Sequence, residues 1–345
     1  MSETESESVQ SSATPSLTPE QQASSSPLTS LSAMNWVVRY FVILVPIVLF
    51  IASLLGRQFW VSEVICNFRA YIMVALLITG PVLFSLKRKL LTIAWIVATL
   101  WSMVGTASVF LPASQTAISS DDAQTIKIMS FNVLGTNQQY DDVITEIDRH
   151  DPDVLVVVEY ANLWHAALER IHAAYPHRLQ EPRWHGFGMA IFSRLPIVKK
   201  TVSPTAGSRF DSPLVATTVN VGDRELRIAG VHLLSPRNRL RLDIRNQQIR
   251  EIGHLLSSDS VPTVLMGDFN CVPWSPFLSD LLTRTEYRDS RQGFGYDATW
   301  HANRGFLRIP IDHAFVSPQV QVHNRTVGQS AGSDHFPVIV EVSVE

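Results

Sequence analysis

Short runs of Val, Ile, Leu and Phe, several of them ending in a polar residue that is costly to bury, constrain the fold of this 345-residue chain more than any other feature. They fall at 126–131, 153–158, 187–192, 213–221, 225–232, 261–266, 311–316 and 336–343, and their β-branched and aliphatic content reads as strands. Several are apolar at every position, as central strands are when both faces are covered. Gly222 and Asp223 separate two runs as a tight hairpin turn would, so part of the sheet is antiparallel. Helical patterns fill 140–149, 161–175, 237–257 and 275–283. In the third, Leu242, Ile249, Ile252 and Leu256 form a stripe that Arg245 and Gln248 narrow. Strands alternating with helices, some of them antiparallel, predict an α/β fold of two mixed sheets packed face to face with helices outside. Residues 125–345 supply ample core for one such domain.

The first third of the chain is different. Residues 1–33 hold eleven Ser, four Thr and four Glu with no aromatic residue, Lys or Arg, and read as a disordered tail that cannot offset the entropy of ordering. Three apolar stretches follow within 34–113, at Trp36 to Leu55, Ala70 to Leu86 and Leu90 to Ala113. A helix needs roughly 20 apolar residues to cross a bilayer, so three transmembrane helices are expected, then a linker over 114–124. Lys87, Arg88 and Lys89 crowd the turn between the second and third stretches. The positive-inside bias places that turn in the cytoplasm, which predicts an integral protein of the cell or inner membrane with everything after residue 114 extracytoplasmic.

Charge narrows the mode of binding and leaves the substrate class open. Residues 121–345 carry 22 Lys and Arg against 26 Asp and Glu, so the domain lacks the overall basic field that dominates non-specific nucleic-acid binding. The arginines at 237, 239, 241, 245 and 250 form one basic cluster, which reads as a solvated helix face, with polyanion or anionic-lipid contact as the alternative. The two cysteines, Cys66 and Cys271, lie far apart in sequence and show neither metal spacing nor a disulfide framework.

The polar residues at the strand ends are chemically matched. Glu159 follows Val156, Val157 and Val158, where a carboxylate either closes a salt bridge or holds a cation; oxygen ligation suits Mg²⁺, with Mn²⁺ the alternative. Asn132 ends another run and either forms a turn or faces a phosphate or metal-bound water. In GDFN, Gly267 allows a sharp exit from the strand, and Asp268 and Asn270 face one direction, the acid suited to attacking water and the amide to a phosphate oxygen. Asp334 and His335 are adjacent and point oppositely, so Asp312 is the better partner for His335, which leaves Asp334 for a metal or its water shell. His232, after Val231, is either a satisfied structural residue or a second imidazole for the phosphoryl group.

In this order, SFNV, VVVEY, VHLLSP, MGDFN, PIDHAF and SDHFPV over residues 125–343 resemble the endonuclease/exonuclease/phosphatase superfamily, also called DNase I-like, in a membrane-anchored bacterial-type form. The resemblance implies a four-layered α-β-β-α sandwich and Mg²⁺-dependent hydrolysis of phosphate esters by in-line attack of water. It implies Glu159 as principal metal ligand with Asn132 beside it, Asp268 and Asn270 positioning water and phosphate, His232 on the phosphate, and Asp312 orienting His335. Asp268 and His335 both remain open as the proton acceptor. Ser193 with Arg194, and Thr299 with Trp300, also look like family positions that support the site. Leu134 stands where some members carry an acid, which argues against a second metal ligand on that strand. The leading expectation is a membrane-anchored, Mg²⁺-dependent phosphodiester hydrolase with nucleic acid as substrate. The alternative is a phospholipid or headgroup phosphodiesterase or phosphatase, and a third reading is a membrane scaffold that has lost catalysis.

Overall fold

The computed structural model describes residues 27–85, 87–107, 109–111, 124–184, 186–207, 212–257 and 260–344. Four N-terminal helices come first: α1 (Pro27–Leu54), α2 (Trp60–Cys66), α3 (Arg69–Ser85) and α4 (Lys89–Ala107). Most of the tail and of the linker lies outside the described residues, and α1 begins inside the segment read as a tail. Ile43, Ile47 and Phe50 of α1 pack with Ile72, Leu76 and Leu83 of α3 and Ala98 of α4.

The expectation of three separate spans is revised. Among the described residues only Asn35–Leu54 is by itself long and apolar enough to cross a membrane. Trp60–Cys66 and Arg69–Pro81 meet that test only together, across a 69° bend, and the apolar part of α4, Lys89–Val104, is shorter. Contacts of Arg69 lie at this bend. The guanidinium of Arg69 donates to Ser53 O at 3.1 Å and to Cys66 Sγ at 3.4 Å, and α2 turns away to dock on the domain that follows.

That domain contains β1 (Ile126–Asn132), α5 (Tyr140–His150), β2 (Val154–Val158), α6 (Asn162–Ala167), β3 (His177–Glu181), β4 (Met189–Ser193), β5 (Ile197–Ser203), β6 (Leu214–Val221) and β7 (Arg224–His232). It continues through α7 (Arg239–Ser257), β8 (Thr263–Asp268), α8 (Pro276–Thr285), β9 (Arg288–Asp289), β10 (Asp312–Val316), β11 (Val320–Val327) and β12 (Val338–Val344). Two six-stranded mixed sheets result, ordered β11-β12-β1-β2-β4-β3 and β5-β6-β7-β8-β10-β9.

Alternation along the strands builds the layers. Ile128, Val154, Val156 and Val158 meet Val215, Ile228, Val264 and Met266 between the sheets. Met129, Phe131, Leu155 and Val157 point out against Val143 and Ile147 of α5 and Trp164 of α6. Ala229, Val231 and Leu265 pack against Ile249 and Ile252 of α7 and Leu278 and Leu281 of α8. This is the expected α-β-β-α sandwich. One glycine is essential to it: a Cβ on Gly267, at φ +135°, would lie 2.1 Å from Val231 O. Gly267 therefore permits close β7–β8 pairing within the strand rather than a sharp exit from it.

The helical part is fixed to the sandwich at one end. Arg57 pairs with Asp280 at 2.7 Å, Trp60 Nε1 donates to Pro236 O at 2.7 Å, and the amides of Gly293 and Gly295 donate to Val109 O. Glu63 and Arg245, both fully buried, form an ion pair at 2.7 Å, and Ser275 Oγ donates to the same Glu63 oxygen at 2.8 Å. Arg245 is thus no part of a solvated face, whereas Arg237, Arg239 and Arg250 are exposed. Cys66 packs on Val272, beside Cys271, and both cysteines are free.

Candidate active site

Strand direction brings the polar strand ends together. β1 and β2 are parallel with Asn132 opposite Val158, so Asn132 and Glu159 emerge side by side. In the other sheet His232, Asp268 and Asp312 fall in one row, His232 opposite Asp268 across the parallel β7–β8 pair and Asp268 opposite Asp312 across the antiparallel β8–β10 pair. β12 runs antiparallel to β1 with Val338 opposite Ser130, so the chain entering β12 delivers Asp334 and His335 to the same end. A cleft of about 370 Å³ is lined there by Glu159, His232, Asp268, Asn270, Asp334 and His335, with Asn132 and Asp312 bonded behind them. All eight residues singled out in the sequence thus meet in one place.

Asn132 sits at the hub. Its Nδ2 donates to Glu159 Oε1 and Asp268 Oδ2, both at 3.2 Å, and lies 3.4 Å from His335 Nε2. Its Oδ1 is turned away to accept from the Leu134 amide at 3.1 Å. The other Glu159 oxygen accepts from the Gly135 amide at 2.9 Å. Asp268 accepts from the Asn270 amide at 2.8 Å and from Asn270 Nδ2 at 3.2 Å, so Asn270 clamps the carboxylate while its own side chain reaches Leu233 O. His335 Nδ1 is 2.9 Å from Asp312 Oδ2, and His232 Nδ1 is 3.0 Å from Gly186 O, so each imidazole is oriented through Nδ1 and leaves Nε2 near Asp268, at 3.8 and 3.6 Å.

Burial and charge move the protonation equilibria apart. Asp268 is pushed up to about 8, first by burial and then by the nearby Asp312 charge. For His335 burial is the largest influence and favours the neutral ring, but the charge and hydrogen bond of Asp312, helped by Asp268 and Asp334, together outweigh it and raise the imidazolium to about 10. Burial lowers His232 instead.

The backbone is strained around the same cleft. Leu134, Glu159 and Asn270 adopt φ of +59°, +62° and +50°. A left-handed conformation costs a residue with a Cβ about 1–2 kcal/mol, and such residues gather where geometry is held for a purpose.

The donor set suits a divalent cation. Glu159 lines the cleft with a carboxylate, and Asp334 Oδ1 is buried there with no hydrogen-bond partner, the kind of orphan acceptor a cation would satisfy. Asn132 presents its amide nitrogen inward, so for it to act as a ligand the amide must turn over. Asp268, Asp312 and His335 also offer atoms within 4.8 Å of one another, but the Asp312–His335 hydrogen bond and the Asn270 clamp already occupy them.

Supporting residues separate into those at the site and those remote from it. Thr299 Oγ1 accepts from the amides of Ile311 and Asp312, and Trp300 Nε1 donates to Asp334 Oδ2 at 3.0 Å. Ser193 lies at the opposite end of β4, opposite Val154, and Arg194 pairs there with Asp151, so neither touches the site. Sequence reasoning missed Ser333, whose hydroxyl donates to Asn132 O and accepts from the His335 amide. It also missed buried Arg291, which donates to Asp312 O at 3.0 Å. Ser333 is the first residue of the SDHFPV motif, so its place there was a usable signal; Arg291 carried none.

The profile of the Endonuclease/Exonuclease/phosphatase family matches residues 129–335, from β1 to His335. The chain belongs to this family. Endonuclease/exonuclease/phosphatase proteins are phosphoester hydrolases that generally use a divalent metal. No curated protein matches the chain. Among solved structures it is similar to an endonuclease/exonuclease/phosphatase from Beutenbergia cavernae, at 18% identity and TM-score 0.52 over 64% of this chain and 72% of that one. It is similar to D. rerio TDP2 complexed with single strand DNA product, at 16% and 0.54 over 64% and 99%. It is also similar to SmcL, at 18% and 0.50 over 64% and 99%. These likenesses establish the fold.

Proposed function

We propose that this chain is a divalent-metal-dependent phosphoester hydrolase held at a membrane by its N-terminal helices. The convergence of four carboxylates, two amides and two imidazoles in one cleft carries the reading. Glu159 and Asp334 would hold the cation, with Asn132 joining them if its amide turns over; the oxygen donors favour Mg²⁺, with Mn²⁺ the alternative. When bound, the cation supplies Lewis-acid stabilisation of the charge that builds on the phosphate oxygens.

The chain's own groups divide the remaining work. Asp268, clamped by Asn270, orients the attacking water and takes its proton, and a carboxyl poised near neutrality is a better base than an ordinary one. His335, held charged by Asp312, donates from Nε2 to a phosphate oxygen. His232, neutral and donating from Nδ1 to Gly186 O, presents Nε2 as an acceptor beside Asp268, suited to the attacking water rather than to a phosphate oxygen. Asn270, whose Nδ2 hydrogens go to Leu233 O and Asp268, holds that carboxylate in place. One P–O bond forms to water as the opposite P–O bond breaks, and the departing alkoxide leaves with a proton from the site or from solvent.

Membrane attachment is supported by Asn35–Leu54 and by the apolar side chains the helical part turns outward, including Ile78 at 70%, Leu90 at 83% and Val104 at 76% exposure. The Lys87–Lys89 turn lies at the end of the helices remote from the catalytic domain of 125–345, which agrees with a cytoplasmic turn and an extracytoplasmic site. Nucleic acid and phospholipid are the two substrate classes. The first is favoured by the likeness to TDP2, which was solved with single strand DNA product, and the second by the site's proximity to the helices.

The test uses purified full-length protein on DNA, RNA, phospholipid and inositol phosphates, with Mg²⁺ or EDTA and with His335→Ala as control. Cleavage of one class that requires both the metal and His335 is expected. Cleavage indifferent to EDTA and to His335 would refute the assignment.

A further inference from the structure

The phosphate cleft does not end at its polar residues. Ser235, Arg237, Asn270 and Trp300 line it and also line a second, adjoining groove of about 240 Å³. The walls of that groove are apolar. On one side stand Val64 and Phe68, at the bend between α2 and α3; on the other stand Pro236, Ile309 and Ile311. The groove therefore exists only because the N-terminal helices dock on the sandwich, and Glu63–Arg245 fixes that docking from within.

Two details indicate an occupant. Phe68, 40% exposed, lines this groove and supplies an apolar wall that an occupant can reach. Asn67, 8% exposed and lining the same groove, has an Oδ1 with no hydrogen-bond partner, so an acceptor waits beside apolar walls. An occupant that satisfies both carries a hydroxyl or amide donor near its phosphate and a hydrocarbon portion beyond. A nucleic acid offers no such apolar portion.

We infer that Val64, Asn67 and Phe68 build an apolar subsite for the hydrocarbon portion of an amphiphilic phosphate ester drawn from the membrane, whose phosphate occupies the cleft. The inference rests on the phosphoester-hydrolase reading of that cleft and names its substrate class. Arg237, exposed where cleft and groove join, meets the phosphate end, and the chain of the substrate leads back toward the apolar faces of the helices. The N-terminal segment is then part of the substrate site as well as an anchor.

The test compares methyl p-nitrophenyl phosphate with dodecyl p-nitrophenyl phosphate, both phosphodiesters that release p-nitrophenolate. Full-length protein is held in an amphipathic polymer free of detergent, with Mg²⁺, and a single-stranded oligothymidylate serves as the nucleic-acid arm. Each methylene buried is worth about 4-fold, so kcat/KM for the dodecyl ester should exceed that for the methyl ester by roughly 100-fold or more. Phe68→Asp should lower that ratio by about 10-fold or more, and Val64→Ser by a smaller factor, in proteins whose circular dichroism matches the parent. Equal kcat/KM for the two esters, a ratio that survives Phe68→Asp, or faster turnover of the oligonucleotide than of the dodecyl ester would overturn the subsite and leave the hydrolase reading standing. Hydrolysis of none of the three substrates would overturn the hydrolase reading itself.

Discussion

At the scale of single residues, the site is a set of polar groups that hold one another in place. Asp312 contributes by fixing and charging His335 through the 2.9 Å contact at Nδ1. Asp312→Asn keeps the shape but removes the charge, and kcat should fall by about 10²–10⁴ with a much smaller change in KM, measurable from steady-state rates on any cleaved phosphodiester. Behind the site, His313 is fully buried, with Nε2 2.7 Å from Cys271 O and Nδ1 3.3 Å from Arg291. Burial, reinforced by the Arg291 charge, lowers it from 6.5 to about 3. Below pH 6.5 the unfolded chain takes up a proton that the folded chain refuses. Its contribution to stability is therefore complete above 6.5 and is lost progressively as the pH falls toward 3. Asp268 and His335, both raised, gain stability over the same pH range, so the direct check is the NMR titration of the His313 ring in the folded protein. It should stay neutral at pH 5, and a ring that protonates near 6.5 would mean that His313 is not held neutral. The residue types at the strand ends were legible in the sequence because a carboxylate, amide or imidazole after three or four buried aliphatics demands a reason. The orientation of Asn132 was not, since the choice between its oxygen and nitrogen depends on the Leu134 amide folding back over it.

At the scale of elements, the eight strands read from apolar runs are all present, and the four that went unread, β3, β5, β9 and β11, are the outer strands of the two sheets. The reason is physical. An edge strand has one unpaired side and carries polar residues, as in His177–Glu181 and in the Lys199–Lys200 stretch of β5, so the apolar signal fades where the ladder ends. Between the sheets, the packing leaves little room. A Cβ on Gly230 would lie 2.9 Å from Val156 Cγ1 and 3.0 Å from Met189 Cε. Gly230→Ala should therefore destabilise the domain by about 1–3 kcal/mol through overpacking, read from the denaturation midpoint. A neutral or stabilising effect would show that the sheets can separate locally at low cost.

At the scale of the whole molecule, the helical segment and the sandwich are joined by a buried charge pair that no sequence pattern foretells. Glu63 and Arg245 are 182 residues apart, and Arg245 lay in a cluster that resembled a solvated face. Removing Glu63 leaves the guanidinium buried without its counter-charge. Glu63→Ala should cost about 3–5 kcal/mol, while Arg57→Ala, which breaks the half-exposed pair with Asp280, should cost less than about 1 kcal/mol. Thermal unfolding of the two full-length variants side by side checks the difference, and similar losses would mean that the interface is not organised around Glu63. The central claim is that the cleft joining both sheets is a metal-dependent phosphoester hydrolase site. The most direct measurement is the initial rate of bis-p-nitrophenyl phosphate hydrolysis by the full-length chain as Mg²⁺ is titrated after EDTA treatment, for the parent and Glu159→Gln. Saturable activation is expected in the parent, and a rate reduced by about 10²-fold or more in the variant at the same Mg²⁺ concentrations. Equal rates for the two proteins, or a parent rate that ignores the metal, would contradict it.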